Sequence, residues 1–440
     1  MKLPKFEGKK WFYAVLTLCC GLYLAQLFCL LKYAVNIPFW DEWEAINKGG
    51  VLAEPSIEHL FVQHNEHRIV TTKLLSLALY YLDGWNLITH QTVNFLIYGF
   101  LVATVAYIVK KSSPELSSLT LMCFVMFMLS CVSIENHYWG FQSQFHFALL
   151  FAFLSIWFLF SESQDWKKVL LGTLFTLLAI YSFSSGLVMS LVVIAGYGVF
   201  KSIRIYTGTD KKREILQLVA VILIAAGSIA FYFAGYVKPG DHPVYTLPYQ
   251  KLFWTYFLNL LSGGFGFKID NIAPGIFVFF FAIVPIIGLI KKYRSRLSSG
   301  NWVIIVSTLA VFAALSSITM GRAGFGKGHS KASRYSEIVI MLIPFSVALW
   351  SVFLIEQKKL RYYFLIGFWI FCGFGLSLFW NFPKTYSGIA IERQQARDCV
   401  QNYFQNGGAA DCPSAYPIPI ADRLEFIKTQ PLSFVKELNK

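Results

Sequence analysis

The sequence predicts an all-α integral membrane protein with about eleven transmembrane helices. Of its 440 residues, 56% are hydrophobic and only 14% are charged, and the mean hydropathy is +0.54. Soluble domains usually carry about 25% charged residues. Many apolar runs approach the roughly 20 residues that a spanning helix needs. Basic residues form short clusters between these runs, as is typical of the positive-inside rule.

The first apolar run is too long for a signal peptide and is followed by no clear cleavage site, so it is predicted to span the membrane. Two other helical segments, residues 71–82 and 253–267, are predicted to be interfacial or re-entrant. Counting the second as a span would place the cluster KKYRSR on the wrong side. The predicted spans are residues 11–33, 87–109, 116–134, 144–160, 169–181, 187–200, 215–236, 274–290, 302–320, 338–355 and 362–380.

Strict alternation of these spans places every basic cluster on one side, which is therefore predicted to be the cytoplasm. All eight histidines fall on the other side or at the outer helix ends. The net charge of +14 then reflects topology, and nucleic acid is not expected as a partner. The transmembrane region is assigned to residues 1–381, with a first outer loop at 34–86, and an outer tail to residues 382–440.

The sharpest motif is PFWDEWEAI, directly after the first span. Asp41 and Glu42 lie between Trp40 and Trp43, close to the membrane surface. One interpretation is an interfacial aromatic belt with Asp41 as a helix N-cap. The other is a carboxylate that accepts a proton from an attacking hydroxyl.

A second motif, QHNEHRIV, brings His64, Glu66, His67 and Arg68 within five positions. If the segment is helical, His64 and His67 share a face. Three interpretations remain open: a solvated loop, a metal site, and a substrate site with Arg68 contacting an anion.

A third motif, IENHYWGFQSQFH, follows the third span and combines Glu135, Gln142 and Gln144 with aromatic residues. Amides together with aromatic rings suit sugar hydroxyls and sugar faces. A tight loop with an interfacial aromatic belt explains the pattern equally well.

The fourth motif, MGRAGFGKGHSKASRYSE, carries four glycines and four basic residues on the predicted outer side, where basic residues are disfavoured. Arginines together with exposed backbone N–H groups are what a phosphate requires. Residues 321–336 are therefore predicted to form a phosphate-binding loop, with Arg322, Lys327, Arg334 and Tyr335 as its contacts.

Six of the eight cysteines lie in apolar runs and are expected to be inert. Cys399 and Cys412 lie in the tail, which is too small to form much of a core by itself. A disulfide between them would help to fix the tail if its compartment is oxidising.

This arrangement resembles the GT-C superfamily of membrane glycosyltransferases, with Asp41 and Glu42 at the position of its acidic motif. The HNEHR and GR…SRY segments are similar to those of bacterial polytopic proteins of this general type. The topology is also similar to that of phage-type glucosyltransferases that convert O-antigen serotypes. The resemblance implies a polyprenyl-phosphate sugar as donor and an extracytoplasmic glycan or glycolipid, such as O-antigen or lipopolysaccharide, as acceptor. It also implies the bacterial inner membrane, with the N-terminus cytoplasmic and the C-terminus periplasmic.

The residues and the resemblance together predict an inverting glycosyltransferase with Asp41 as general base and Glu42 or Glu66 as alternatives. The arginines of the motifs, helped by Lys327, would stabilise the departing phosphate. No cofactor is required, although some relatives use a divalent metal at the acidic motif. One alternative is a lipid flippase or transporter, but ionisable residues are nearly absent from the spans, which argues against it. The other alternative is an O-antigen polymerase or ligase.

Overall fold

The computed structural model describes residues 9–208, 210–240, 242–264, 270–379, 382–407 and 411–438. These residues fold into helices joined by turns, and they contain an isolated bridge between His64 and His67 but no β-strand. Nine of the helices in this part of the chain are long and apolar enough to cross a membrane. The predicted class, an all-α integral membrane protein, is confirmed.

The first half of the chain consists mainly of hydrophobic helices, with one long loop after the first of them. The loop between α1 and α4 carries two short helices, α2 and α3, and we call residues 34–86 the first loop. The bounds are α1 Lys9–Tyr33, α2 Ile57–Phe61, α3 Val70–Asp83, α4 Leu87–Ser112, α5 Ser118–Met128, α6 Ile134–Tyr138, α7 Ser143–Leu159, α8 Trp166–Ile180, α9 Ser184–Thr207 and α10 Lys211–Phe233.

The second half adds further apolar helices and ends in the polar tail. Pro285 lies inside α12, and a turn at Met341 separates α14 from α15. The bounds are α11 Lys251–Gly263, α12 Ala273–Tyr293, α13 Ser299–Arg322, α14 Ser333–Ile340, α15 Leu342–Phe353, α16 Lys358–Phe379, α17 Phe382–Asn406, α18 Ala421–Ile427 and α19 Ser433–Leu438.

Two predicted spans are not among the nine candidates. The fifth is α8, whose 15 residues measure about 22 Å at 1.5 Å per residue, short of a bilayer core of about 30 Å. The eleventh is α16, a helix of 22 residues, and its predicted end at Trp380 lies outside the described residues. The third predicted span is broken into α5, a 3₁₀ turn at Cys131–Ser133, and α6.

Helix α11 does not cross the bundle, as the sequence predicts. It has 13 residues, and Ser262 near its end accepts a hydrogen bond from the backbone N–H of Gly275 at the start of α12 (2.9 Å). The segment before it contacts the end of α13, where the backbone N–H of Thr246 donates to Met320 (2.9 Å). Both ends of α11 therefore lie at the same end of the helix bundle.

The basic clusters meet at the opposite end, which we call the basic end. Lys201 of α9 pairs with Glu214 of α10 (2.5 Å), and Arg361 of α16 donates to the backbone oxygen of Glu115 (3.1 Å). Since the helices alternate in direction, the first loop and the start of α14 lie at the other end, which we call the site end.

The tail packs against the first loop and shares a hydrophobic core with it. Trp43 and Trp85 of the loop both contact the ring of Phe434, at centroid distances of 6.2 and 6.5 Å. A disulfide joins Cys399 and Cys412, as the sequence predicts. The tail, too small for a core of its own, is thus held by a core that the first loop completes.

Candidate active site

A cavity of about 470 Å³ opens at the site end. Helix ends from α9, α10, α13 and α14 converge on it, together with the two acidic and histidine-rich motifs of the first loop. The residues that line it from the predicted set are Trp40, Asp41, His64, Glu66, His67, Gln142, Gln144, Arg322, Arg334 and Tyr335.

Asp41 lies in a 3₁₀ turn, Trp40–Ile46, that follows α1. Its carboxylate is about one-third exposed, and the ring of His64 lies beside it, with Nε2 to Oδ2 at 3.7 Å. Trp40, directly before it, has φ +49°, a strained conformation for a bulky residue. The backbone N–H of Trp40 donates to Ala415 in the tail (2.8 Å), which helps to hold that conformation.

Glu42, the alternative base, does not line this cavity. Its two carboxylate oxygens accept backbone hydrogen bonds from Phe39 (3.0 Å) and Phe141 (3.2 Å), and Arg393 lies 3.8 Å away. Burial raises the pKa of Glu42 to about 7, against the opposing effects of Arg393 and the two N–H groups. Glu42 therefore ties the acidic motif to its surroundings.

Trp43 is likewise absent from the cavity lining, although the sequence suggested a substrate contact. It is fully buried in the core shared by the first loop and the tail.

The histidine motif forms a tight turn rather than a helix. His64 and His67 exchange backbone hydrogen bonds of 2.7 and 2.9 Å, with Asn65 and Glu66 at the corner. Asn65 has φ +50° and also lines the cavity, so strained residues precede both Asp41 and Glu66.

Glu66 is fully engaged at this corner. Its Oε2 accepts from Arg322 (3.0 Å), and its Oε1 lies 2.5 Å from Nδ1 of His242. A carboxylate held by two partners is poorly placed to accept a further proton from a substrate. This distinguishes Glu66 from Asp41.

Several buried polar atoms around the cavity have no hydrogen-bond partner among the described residues. They are Nδ1 of His67, Oε1 of Gln142 and Oε1 of Gln144. Burial, with Arg322 nearby, lowers the pKa of His67 well below its ordinary value, so its ring is neutral at pH 7. Neutral imidazole and amide groups are suited to bind hydroxyls, and leaving them unpaired costs about 1–3 kcal/mol each.

Arg68 does not reach the cavity, which corrects its predicted role as an anion contact. Its guanidinium donates to the backbone oxygens of Tyr232 (2.6 Å), Ala234 (2.6 Å) and Phe61. With its donors taken by carbonyls, Arg68 instead fastens the first loop to the end of α10.

Arg322 and Arg334 reach the cavity from the end of α13 and the start of α14. Besides Glu66, which pairs with Arg322, Glu135 lies 3.3 Å from Nη1 of Arg334. His329 lies 3.3 Å from the other terminal nitrogen of Arg334, and burial lowers the pKa of His329 to about 4. Lys327, also predicted, is exposed and outside the cavity lining.

A buried polar network stands behind Arg334. His146 Nε2 lies 3.0 Å from Glu337 Oε2, and Asn136 donates both to that oxygen (3.0 Å) and to the backbone oxygen of Arg334 (2.8 Å). Asn94 holds the other ring nitrogen of His146 (2.8 Å). Glu337, His146 and both asparagines are fully buried, so the network fixes the first turn of α14.

Several of these residues could hardly be recognised from the sequence. His242 lies directly before Pro243 in a loop that shows no periodicity, and Arg393 lies in a polar tail helix. Only Glu337, three residues after Arg334 and at the start of an apolar run, carried a signal: a carboxylate where a span begins.

Among the described residues, no three His, Cys, Asp or Glu side chains converge to form a metal site. His64 offers Asp41 one imidazole, and Glu66 is already paired with Arg322. The described side chains around the acidic motif thus offer a divalent metal no group of three ligands.

No protein-family model and no curated protein matches this chain. Among solved structures, the archaeal oligosaccharyltransferase AglB from Archaeoglobus fulgidus, in complex with an inhibitory peptide and a dolichol-phosphate, aligns with a TM-score of 0.46 at 10% identity. The alignment covers 88% of this chain and 58% of that one, so the chain spans less than two thirds of the length of this protein. At this score the likeness assigns no family.

Proposed function

We propose that the protein is an inverting membrane glycosyltransferase that moves a sugar from a polyprenyl-phosphate donor to a glycan or glycolipid. One observation carries the proposal: the carboxylate of Asp41 and the two arginines Arg322 and Arg334 line one cavity at helix ends. A general base and an anion site in one cavity are what displacement of a phosphate group requires.

The lining of the cavity supports a lipid-linked donor. Apolar side chains from the spanning helices form part of its wall, among them Leu187, Val188 and Ile318. Arg322 ends α13 and Arg334 lies in the first turn of α14, so positive charge sits where the apolar segments stop. A molecule with an anionic head and an apolar chain matches this division.

The chemistry is a single displacement. The acceptor hydroxyl attacks the anomeric carbon and forms the new C–O bond while the bond from that carbon to the phosphate oxygen breaks. The hydroxyl proton passes to Asp41, and the electron pair of the broken bond remains on the lipid phosphate. Arg322 and Arg334 stabilise the charge on that phosphate.

The basic clusters also indicate how the protein is oriented in the membrane. We infer that the basic end faces the cytoplasm and that the cavity faces the opposite side, where a bacterial inner membrane would expose it to the periplasm. O-antigen or a related lipopolysaccharide is the acceptor class that this orientation favours.

The proposal is tested with Asp41→Asn in purified protein. This change keeps the shape of the side chain and removes its basicity, so transfer should fall by about 10²–10⁴-fold. Binding of undecaprenyl phosphate, measured separately, should be unchanged. Glu58→Gln, an exposed carboxylate in the same loop, is the matched control and should transfer normally.

The result also separates the alternatives. Full transfer by Asp41→Asn with loss in Glu66→Gln would move the base to Glu66 and keep the enzyme class. Normal activity after neutralising Asp41, Glu42 and Glu66 in turn would instead favour a flippase, which needs no base.

A further inference from the structure

A second cavity, of about 160 Å³, lies on the other side of Asp41. Asp41, His64 and Phe141 line both cavities and so form the wall between them. We propose that this second cavity, which we call the acceptor cleft, binds one terminal sugar ring of the acceptor. The inference rests on the proposed function and names where its second substrate is held.

The floor of the acceptor cleft contains buried polar atoms that lack partners. Trp85 and His90 both line the cleft and are almost completely buried. Nε1 of Trp85 and both ring nitrogens of His90 have no hydrogen-bond partner among the described residues, and Glu42 lies 3.9 Å from His90, beyond hydrogen-bond range. Because it is unfavourable to leave buried polar groups without partners, these atoms favour a ligand rich in hydroxyls.

The other lining residues agree with a sugar. Phe141 and Trp85 supply ring surfaces, while Thr72 and Ser76 supply hydroxyl groups. Since a water molecule occupies about 30 Å³ of liquid, a space of this size corresponds to about five waters and suits a single ring. A long apolar chain would not find room in it.

The cleft opens away from the buried floor. Lys48 and Val62 line it and are exposed, whereas Ser76, Trp85 and His90 are buried. An acceptor glycan can therefore place its terminal ring inside while the rest of the molecule stays outside.

This placement explains how Asp41 meets both substrates. A hydroxyl presented from the cleft attacks the anomeric carbon held in the larger cavity, and its proton passes to the carboxylate in the dividing wall. The C–O bond to phosphate breaks, and the lipid phosphate departs with the electron pair. The acceptor and the donor thus approach Asp41 from opposite sides.

The experiment narrows the cleft without touching the larger cavity. Lys48→Trp obstructs the exposed rim, and Ser76→Leu fills the floor. Glu58→Trp places the same bulk on an exposed position of the first loop that does not line the cleft. Transfer is measured from radiolabelled polyprenyl-phosphate glucose into the glycans of membranes from the cells that make the protein, and undecaprenyl phosphate binding is measured on purified protein.

We expect both cleft variants to lose about tenfold or more in transfer, while undecaprenyl phosphate binding stays within about twofold of wild type. The control variant should match wild type in both measurements. Transfer retained by both cleft variants, or donor binding lost together with transfer in both, overturns the acceptor cleft. Failure of the wild-type protein itself to bind undecaprenyl phosphate and to transfer sugar overturns the proposed function instead.

Discussion

Arg322 and Arg334 approach the cavity from two different helix ends, and each is held by a different carboxylate. Glu66 holds Arg322 and Glu135 holds Arg334, both through single contacts of 3.0 and 3.3 Å. Neither carboxylate neutralises both arginines, so a phosphate between them would gain two charged donors. This arrangement leads to a prediction about each arginine.

Arg334→Ala and Arg322→Ala should each weaken undecaprenyl phosphate binding by about 10–100-fold, since a hydrogen bond to a charged group contributes about 1.5–3 kcal/mol. Lysine at either position should restore binding only in part, because an ammonium lacks the planar fork of a guanidinium. Equilibrium binding to the solubilised protein measures the effect. Lys327→Ala, in the same loop but outside the cavity, is the matched control; wild-type affinity in both arginine variants would remove this loop from the donor site.

At this scale the sequence identified most of the cavity but not the use of each residue. Asp41, Glu66 and Arg334 could be selected because a charged residue near a membrane surface often has a specific role. Arg68 and Glu42 met the same criterion, yet in the structure they form hydrogen bonds with backbone groups. Only tertiary contacts distinguish a charge that faces a cavity from one that fastens a loop.

The position of helix α14 depends on a hydrogen-bond network with residues of other helices. Glu337 lies about one turn after Arg334 and is held by His146 of α7 and Asn136 of α6. Asn136 also contacts the backbone of Arg334, so the same residues set the position of the guanidinium. Glu337 is therefore a positioning residue rather than a catalytic one.

Glu337→Ala should weaken undecaprenyl phosphate binding by about tenfold, since removing one partner of a buried polar pair costs about 1–3 kcal/mol. The same change in an Arg334→Ala background should have almost no further effect on binding, because Glu337 acts on binding only by positioning Arg334. A double-mutant cycle on binding tests this.

Ser155→Ala, which removes a buried hydrogen bond to Thr176 (2.7 Å) outside the cavity lining, serves as a control for general loss of stability. If Glu337→Ala causes the same loss of binding with and without Arg334→Ala, then Glu337 supports the fold and does not act through Arg334.

The helices themselves were predictable because lipid imposes a simple rule on length and polarity. Eleven predicted spans correspond to helices or helix pairs, and α11 was correctly kept out of the count. The break between α5 and α6 was not foreseen, because the segment contains no proline; the site residues Glu135 and Asn136 follow it, and their contacts override the periodicity. The break between α14 and α15 did carry a signal in Pro344, which has no N–H to donate to Ile340, the last residue of α14.

At the level of the whole molecule, the tail contacts the acidic motif at the candidate active site, although it does not line the cavity. Cys412 accepts backbone hydrogen bonds from Ala415 (2.8 Å) and Tyr416 (3.0 Å), and Ala415 in turn receives the N–H of Trp40. Arg423 and Tyr416 both bind Glu44, at 2.6 and 2.7 Å. The disulfide thus fixes the turn against which the acidic motif rests.

Cys399→Ser with Cys412→Ser should lower the transfer rate by about tenfold or more while undecaprenyl phosphate binding persists. Closing a loop of this size stabilises by about 3 kcal/mol, and losing that constraint frees the turn beside Trp40. Transfer and binding are compared in the wild type, the double variant and Cys20→Ser, a cysteine of α1 outside the tail. Unaltered transfer in the double variant would separate the tail from the acidic motif.

The ion pair between Glu44 and Arg423 joins residues 379 positions apart. At about 5–20 residues per second, a ribosome needs roughly 20–75 s to make the intervening chain. Throughout that interval the acidic motif has already emerged, but the side chains that will cover Trp43 do not yet exist. The first loop is therefore among the first parts of the protein to be synthesised and among the last to be completed, because the core around Trp43 is closed only after Phe434 of the tail has been made.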